Sequence, residues 1–85
     1  MSILQGVQEE IAQCSLVPTQ ASEVQEEAWL VEFGFDSVNS VELVMALEER
    51  FDLELPDGDA AAVETVSDIV NLIEQQLQEA NAASL

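Results

Sequence analysis

No histidine occurs in this 85-residue chain, there is one cysteine, and a single side chain, Arg50, carries positive charge. The absence of His removes His-based triads, His general bases and most metal sites. One Cys permits neither an internal disulfide nor a cysteine cluster. Cys14 falls with Val7 on the apolar face of an expected helix, where it reads as a small buried hydrophobe rather than a nucleophile. Long apolar runs are also missing, since Leu43 to Leu47 is the longest and falls far short of a membrane span. The opening Met1 to Gln5 has no basic group and is soon followed by Glu9 and Glu10. No signal or transit peptide is expected, so the chain should be cytoplasmic, or the mature form of an organelle protein.

What is abundant is negative charge. Eighteen carboxylates against one cation give a net charge of −17. Nucleic-acid binding needs the opposite sign, and anionic membrane surfaces are disfavoured for the same reason. Partners with basic patches are attracted instead. Self-repulsion opposes compaction, so salt or divalent cations should stabilise the fold. A hydrophobic content of 48% is nevertheless enough to fold. A chain this short buries only about 60% of its unfolded surface and has room for one thin core.

Ile3, Val7, Ile11 and Cys14 recur at helical spacing, with Ser2 and Gln5 as a capping box, which predicts a first helix over residues 3–15. Residues 16–36 form a long connection, with Trp29, Leu30 and Phe33 expected to fold back over the core. A second helix is expected from Ser37 to Phe51, and a short third one opens at Asp57-Gly58-Asp59 and runs through Ala60 to Val63. Thr65 with Asp68 is a further capping box, starting a fourth helix over residues 66–79. Ala80 to Leu85 read as a frayed end. The expected architecture is all-α: a small four-helix bundle of three longer helices and one short one, forming one domain over residues 1–80 with a tail at 81–85.

On a wheel of about 100° per residue the second helix has two apolar arcs. Leu43, Val44, Leu47 and Phe51 suffice to face a core. Val38, Val41 and Met45 form another arc, interleaved with Glu42, Glu48, Glu49 and Asp52. That second arc reads either as an ordinary solvated face or as a docking strip, apolar at its centre and ringed by carboxylates. Just upstream stands Gly34-Phe35-Asp36-Ser37. Asp36 and Ser37 suit plain N-cap roles. A hydroxyl at a helix N-terminus is also a good attachment point for a phosphate, beside free N–H groups and a positive dipole end, although local chemistry alone favours the plain cap.

The run Gly34-Phe35-Asp36-Ser37-Val38-Asn39-Ser40-Val41-Glu42-Leu43-Val44-Met45-Ala46-Leu47-Glu48-Glu49-Arg50-Phe51-Asp52 resembles the signature region of acyl carrier proteins, and the likeness continues through Leu55-Pro56-Asp57 and Thr65-Val66 to Ile73. It covers about residues 29–77. The resemblance implies that Ser37 is modified from coenzyme A by a phosphopantetheinyl transferase, receiving a covalent 4'-phosphopantetheine arm. It implies that Asp36 helps hold the transferase's magnesium. Val38, Val41, Glu42, Met45, Glu48 and Glu49 match the family's partner-docking helix. Trp29, Leu30, Val44, Leu47, Ala60 and Val63 match positions lining a cleft for the acyl chain. It further implies a monomeric, non-catalytic shuttle serving the transferase and acyl-processing enzymes of fatty-acid or polyketide-type biosynthesis. Val38, Asn39, Phe35 and Arg50 depart from the commonest pattern, as does the lack of lysine, which leaves room for a specialised pathway.

Two rivals share these features: a peptidyl or aminoacyl carrier, and an acidic interaction module that is never modified. A calcium loop fails because Asp57, Asp59 and Glu64 lack the remaining ligand positions and Gly58 is not sixth in a twelve-residue loop. A carboxylate-pair hydrolase would need a substrate cleft that so thin a bundle scarcely provides.

Overall fold

The computed structural model describes residues 3–36 and 39–83. Four helices follow in order: α1 (Ile3–Cys14), α2 (Asn39–Phe51), α3 (Asp57–Ala62) and α4 (Val66–Ala83). Between α1 and α2 lie two short 3-10 turns, Ala21–Glu23 and Leu30–Phe33. No strand occurs among the described residues, so the fold is the expected all-α bundle. The expected Ser2 capping partner and the first two residues of the expected second helix, Ser37 and Val38, lie outside the described residues.

Among the described residues thirteen buried apolar side chains make the core: Val7 and Ile11 from α1, Leu43 and Leu47 from α2, Leu55 before α3, and Val66, Ile69, Leu72 and Ile73 from α4, completed by Val24, Leu30, Phe33 and Phe35 from the long connection. The connection is therefore a wall of the core, not a linker. Backbone bonds seat it at both ends. Leu16 N–H donates to the Phe33 carbonyl at 3.1 Å, while Leu30 N–H reaches Glu64 O and Val66 N–H reaches Ala28 O, at 2.9 and 3.1 Å. The Gln8 amide of α1 adds a bond to the Val24 carbonyl at 2.7 Å.

Trp29 does not fold over the core as the sequence suggested. It pairs in an isolated antiparallel bridge with Thr65, and its backbone is extended. Successive side chains of extended backbone point to opposite sides, so burying Leu30 turns Trp29 outward, where it is 51% exposed.

The capping box at α4 forms as read. Thr65 Oγ1 accepts the Asp68 N–H at 3.2 Å, and Asp68 Oδ2 accepts the N–H groups of Thr65 and Glu64 at 3.1 and 3.0 Å. These bonds, that from Glu64 foremost, hold the Asp68 carboxyl below its ordinary pKa. At its far end α4 runs past the expected stop at residue 79 and carries helical backbone through Ala83. Neither Pro nor Gly follows to break it, and Ala is the best helix former. The expected frayed tail is thus helical at residues 81–83.

Helices α1 and α2 approach closely at Gly6, where an added Cβ would lie 2.7 Å from the Phe51 ring. Beside it Arg50 pairs with Glu10 at 2.9 Å and also with Glu9, tying the last turn of α2 to α1. The only cationic side chain therefore works inside the fold. Helix α2 ends with Asp52 in the left-handed region (φ 52°) and a bond from Leu53 N–H to Glu48 O at 3.1 Å, a Schellman-type stop.

Arg50→Gln should lower the melting temperature, and added NaCl should recover more of it in the variant than in the wild type, because Glu9 and Glu10 then repel without a counter-charge. Melts at low and moderate salt with equal slopes for both proteins would contradict this. Thr65→Ala should cost about 1 kcal/mol, a fall of roughly 4–8 °C in a domain of this size. Because the Asp68 pKa is depressed on folding, its contribution is complete above the unfolded value of about 3.9 and disappears as pH falls through the lower folded value. The melting-temperature gap between wild type and Asp68→Ala should therefore hold from pH 7 to 5 and shrink below about pH 4.

Candidate functional site

Gly34, Phe35 and Asp36 lead the chain into α2, and each is fixed differently. Gly34 sits at φ 89°, closing the second 3-10 turn with its N–H on Val31 O, and an added Cβ would lie 2.9 Å from the Leu16 Cβ. Only glycine fits that left-handed, crowded position. Phe35 is 3% exposed and anchors the segment in the core. Asp36 is exposed and caps α2: its Oδ1 accepts the Asn39 N–H at 2.8 Å, and its carbonyl accepts the Ser40 N–H at 3.0 Å.

Of the two cap roles open to the sequence, the structure gives one to Asp36. Two of the N–H groups at the start of α2 are consequently taken by this residue and not offered to an external anion. Asn39 does a second job, since its side-chain Nδ2 donates to the Gly34 carbonyl at 3.2 Å. The Asn39 amide thus braces the chain before residue 37 to the chain after it, which a carboxylate at that position could not do. Ser37 and Val38 themselves lie outside the described residues.

Along α2 the two arcs separate as the wheel predicts. Leu43 and Leu47 are buried, and Val44 and Phe51 pack partly against them. Val41 and Met45 are 56% and 59% exposed, with Glu42 and Glu49 beside them in solvent. Glu48 differs: it is half-buried and its Oε2 accepts the Leu55 N–H at 2.9 Å, so it holds the α2–α3 turn. Arg50, an interruption of the acidic run in sequence, turns away from this face to α1.

Two hollows of about 290 Å³ flank the start of α2. One lies between α2 and α3 and is lined by Val41, Val44, Met45, Ala60 and Ala61, with Ser40, Glu48 and Asp57. The other is lined by Trp29, Leu30, Val31, Phe35 and Val63, with Asp36, Ser40, Ala61 and Glu64. Ser40 and Ala61 belong to both. The six residues matched to an acyl cleft are therefore divided: Val44 and Ala60 line the first, Trp29, Leu30 and Val63 the second. Leu47 lines neither, being 1% exposed in the core.

Cys14 is partly buried at the end of α1, and burial together with the Glu10 and Glu42 charges pushes its thiol pKa up. That disfavours the thiolate a nucleophile needs. No helix among the described residues is long and apolar enough to cross a membrane.

The family model described as a phosphopantetheine attachment site matches residues 6–73, well over half of the chain and reaching further towards the N-terminus than the resemblance read from the sequence. An acyl carrier protein of Prochlorococcus marinus is 49% identical over 74 residues, covering 79% of this chain and 92% of the relative. One from Sulfurovum is 55% identical over 53 residues, covering 61% and 71% respectively. One from Clostridium acetobutylicum is 46% identical over 54 residues, covering 64% and 70%. With a capped helix start that leaves Asp36 at the surface in the wall of an apolar hollow, the arrangement fits a covalently attached 4'-phosphopantetheine, and the chain belongs to the acyl carrier protein family.

Proposed function

We propose that this chain carries acyl intermediates of fatty-acid or polyketide-type biosynthesis, with Ser37 as the attachment residue, and performs no chemistry of its own. When attached, the arm supplies a terminal thiol on a flexible tether, on which acyl groups are held as thioesters. The observation that carries the reading is the match over residues 6–73, within which Ser37 follows the surface residue Asp36 directly. The three relatives are all acyl carrier proteins by name, which favours acyl over aminoacyl cargo.

The chain's own part is to attract, dock and shelter. A net charge of −17, with its one cation engaged by Glu9 and Glu10, steers the surface towards basic partners. Val41 and Met45, with Glu42 and Glu49 beside them, offer a small apolar contact with a charged rim, suited to transient docking. By its spacing in the sequence Val38 is assigned to the same strip, and the half-buried Glu48 joins it. Met45 adapts to several pockets, as a carrier visiting successive enzymes requires. Asp36 combines its cap role with contact to the transferase's magnesium. The apolar walls of the two hollows shelter cargo at about 0.8 kcal/mol per buried CH₂. The carrier works as a cytoplasmic monomer, since two surfaces this acidic repel each other.

Incubation with coenzyme A and a broad-specificity phosphopantetheinyl transferase should add one arm to the wild type and none to Ser37→Ala, read by intact mass. An unmodified wild type would instead support a plain interaction module. The double variant Val41→Ser, Met45→Ser should raise the transferase KM for the carrier. Its stability should stay within about 0.5 kcal/mol per site, as for exposed positions generally. An unchanged KM would remove α2 as the docking face.

A further inference from the structure

Six large apolar side chains are notably exposed among the described residues, and only Val41 and Met45 belong to α2. The others, Leu16, Val17, Trp29 and Val31, come from the long connection. Trp29 caps the 3-10 turn Leu30–Phe33 and Val31 lies within it, while its other apolar members, Leu30 and Phe33, are 4% and 8% exposed. The turn thus buries one side and displays the other.

The mount is stiff. Trp29 N–H donates to Glu32 Oε2 at 2.7 Å, the bridge to Thr65 holds the turn against α4, and Gly34 closes it. An aromatic held out on a preorganised support loses little conformational freedom when a partner covers it. Trp is also among the residue types that dominate interface energetics.

Position identifies the partner. Trp29 and Val31 line the same hollow as Asp36 and Ser40, which bracket the attachment residue in the chain. Ser40 and Ala61 continue that hollow into the one lined by Val41 and Met45. One apolar surface therefore runs past Asp36 and Ser40, the lining residues on either side of Ser37 in the chain, so an enzyme acting at Ser37 has both halves within reach. Its rim is acidic on the turn side as well, with Asp36 and Glu64 in the hollow and Glu32 exposed beside it. A second copy of the chain would bring the same charge to this rim and be repelled.

We infer that the Trp29–Val31 turn is a second docking element, buried by the arm-delivering transferase in an apolar socket with a basic rim while the same enzyme contacts α2. The inference rests on the carrier reading. The chain has one tryptophan, so labelling with 5-fluorotryptophan gives a single ¹⁹F resonance. Adding the broad-specificity transferase to unmodified carrier, without coenzyme A, should shift that resonance and reduce its solvent isotope effect. Trp29→Ala and the more exposed Val31→Ser should each raise the transferase KM by about fivefold or more, the effect of an interface anchor, with little change in kcat. Val31→Ser keeps the test sound if Trp29→Ala folds poorly.

KM values within about twofold of wild type for both variants, alongside a raised KM for Met45→Ser, would overturn the inference and leave the carrier reading intact. A resonance unmoved by transferase but shifted by loading an acyl group would overturn it too, making the turn a cover for cargo. A wild type that is never modified would sink the carrier reading itself.

Discussion

Eighteen carboxylates are held in one small body by a thin core of buried apolar side chains and a single guanidinium. Like charges raise the free energy of any compact form, and a chain of this length has little surface to bury in return. The arrangement meets that constraint in two ways. It spends its one cation internally, between Glu9, Glu10 and the end of α2, where Gly6 lets the two helices come together. It also recruits the connection between α1 and α2 into the core, so that Val24, Leu30, Phe33 and Phe35 supply apolar area the short helices lack.

That economy fixes the geometry of the site. Phe35 is in the core and Asp36 is at the surface, so the chain crosses from inside to outside in one residue just before Ser37, the proposed attachment residue. The Asp36 cap and the Asn39 brace to Gly34 keep that crossing tight. Asp36 brings a negative charge to the positive end of the α2 dipole, a favourable placement that holds whether or not an arm is attached. The approach of the chain to α2 is therefore built by packing and capping.

Much of this was legible in the chain. Helical spacing located α1, α2 and α4, and the Thr65–Asp68 pair marked the start of α4 because a capping box is a local device written within four residues. The two arcs of α2 were legible for the same reason. What escaped was non-local or aperiodic. Val24 and Phe35 enter the core from irregular backbone, which has no repeat to reveal a buried side. Arg50 finds its partners some forty residues away, and Glu48 bonds a backbone N–H beyond the end of its helix. Asn39 looked like a mere departure from the family pattern until its amide was seen on Gly34 O. The extended backbone at Trp29, which sends the indole outward, depends on a bridge to Thr65 that no short-range signal encodes.

The same constraint explains why so much apolar surface remains uncovered around the site. A shuttle needs partners to leave as readily as they arrive, and long-range attraction from the net charge raises the arrival rate without deepening the bound state. Residence must then come from short-range burial, and that burial has to stay small. Val41 and Met45 on α2, with Trp29 and Val31 on the connection before it, are four exposed side chains rather than a broad hydrophobic face. On the proposed reading, dividing the contact in this way gives each enzyme a choice of how much to cover. Enzymes that touch only α2 would release the carrier fast, while one that also seats the indole would hold it longer. Chemistry that must finish before release, as in covalent attachment of an arm, is where the longer hold is useful.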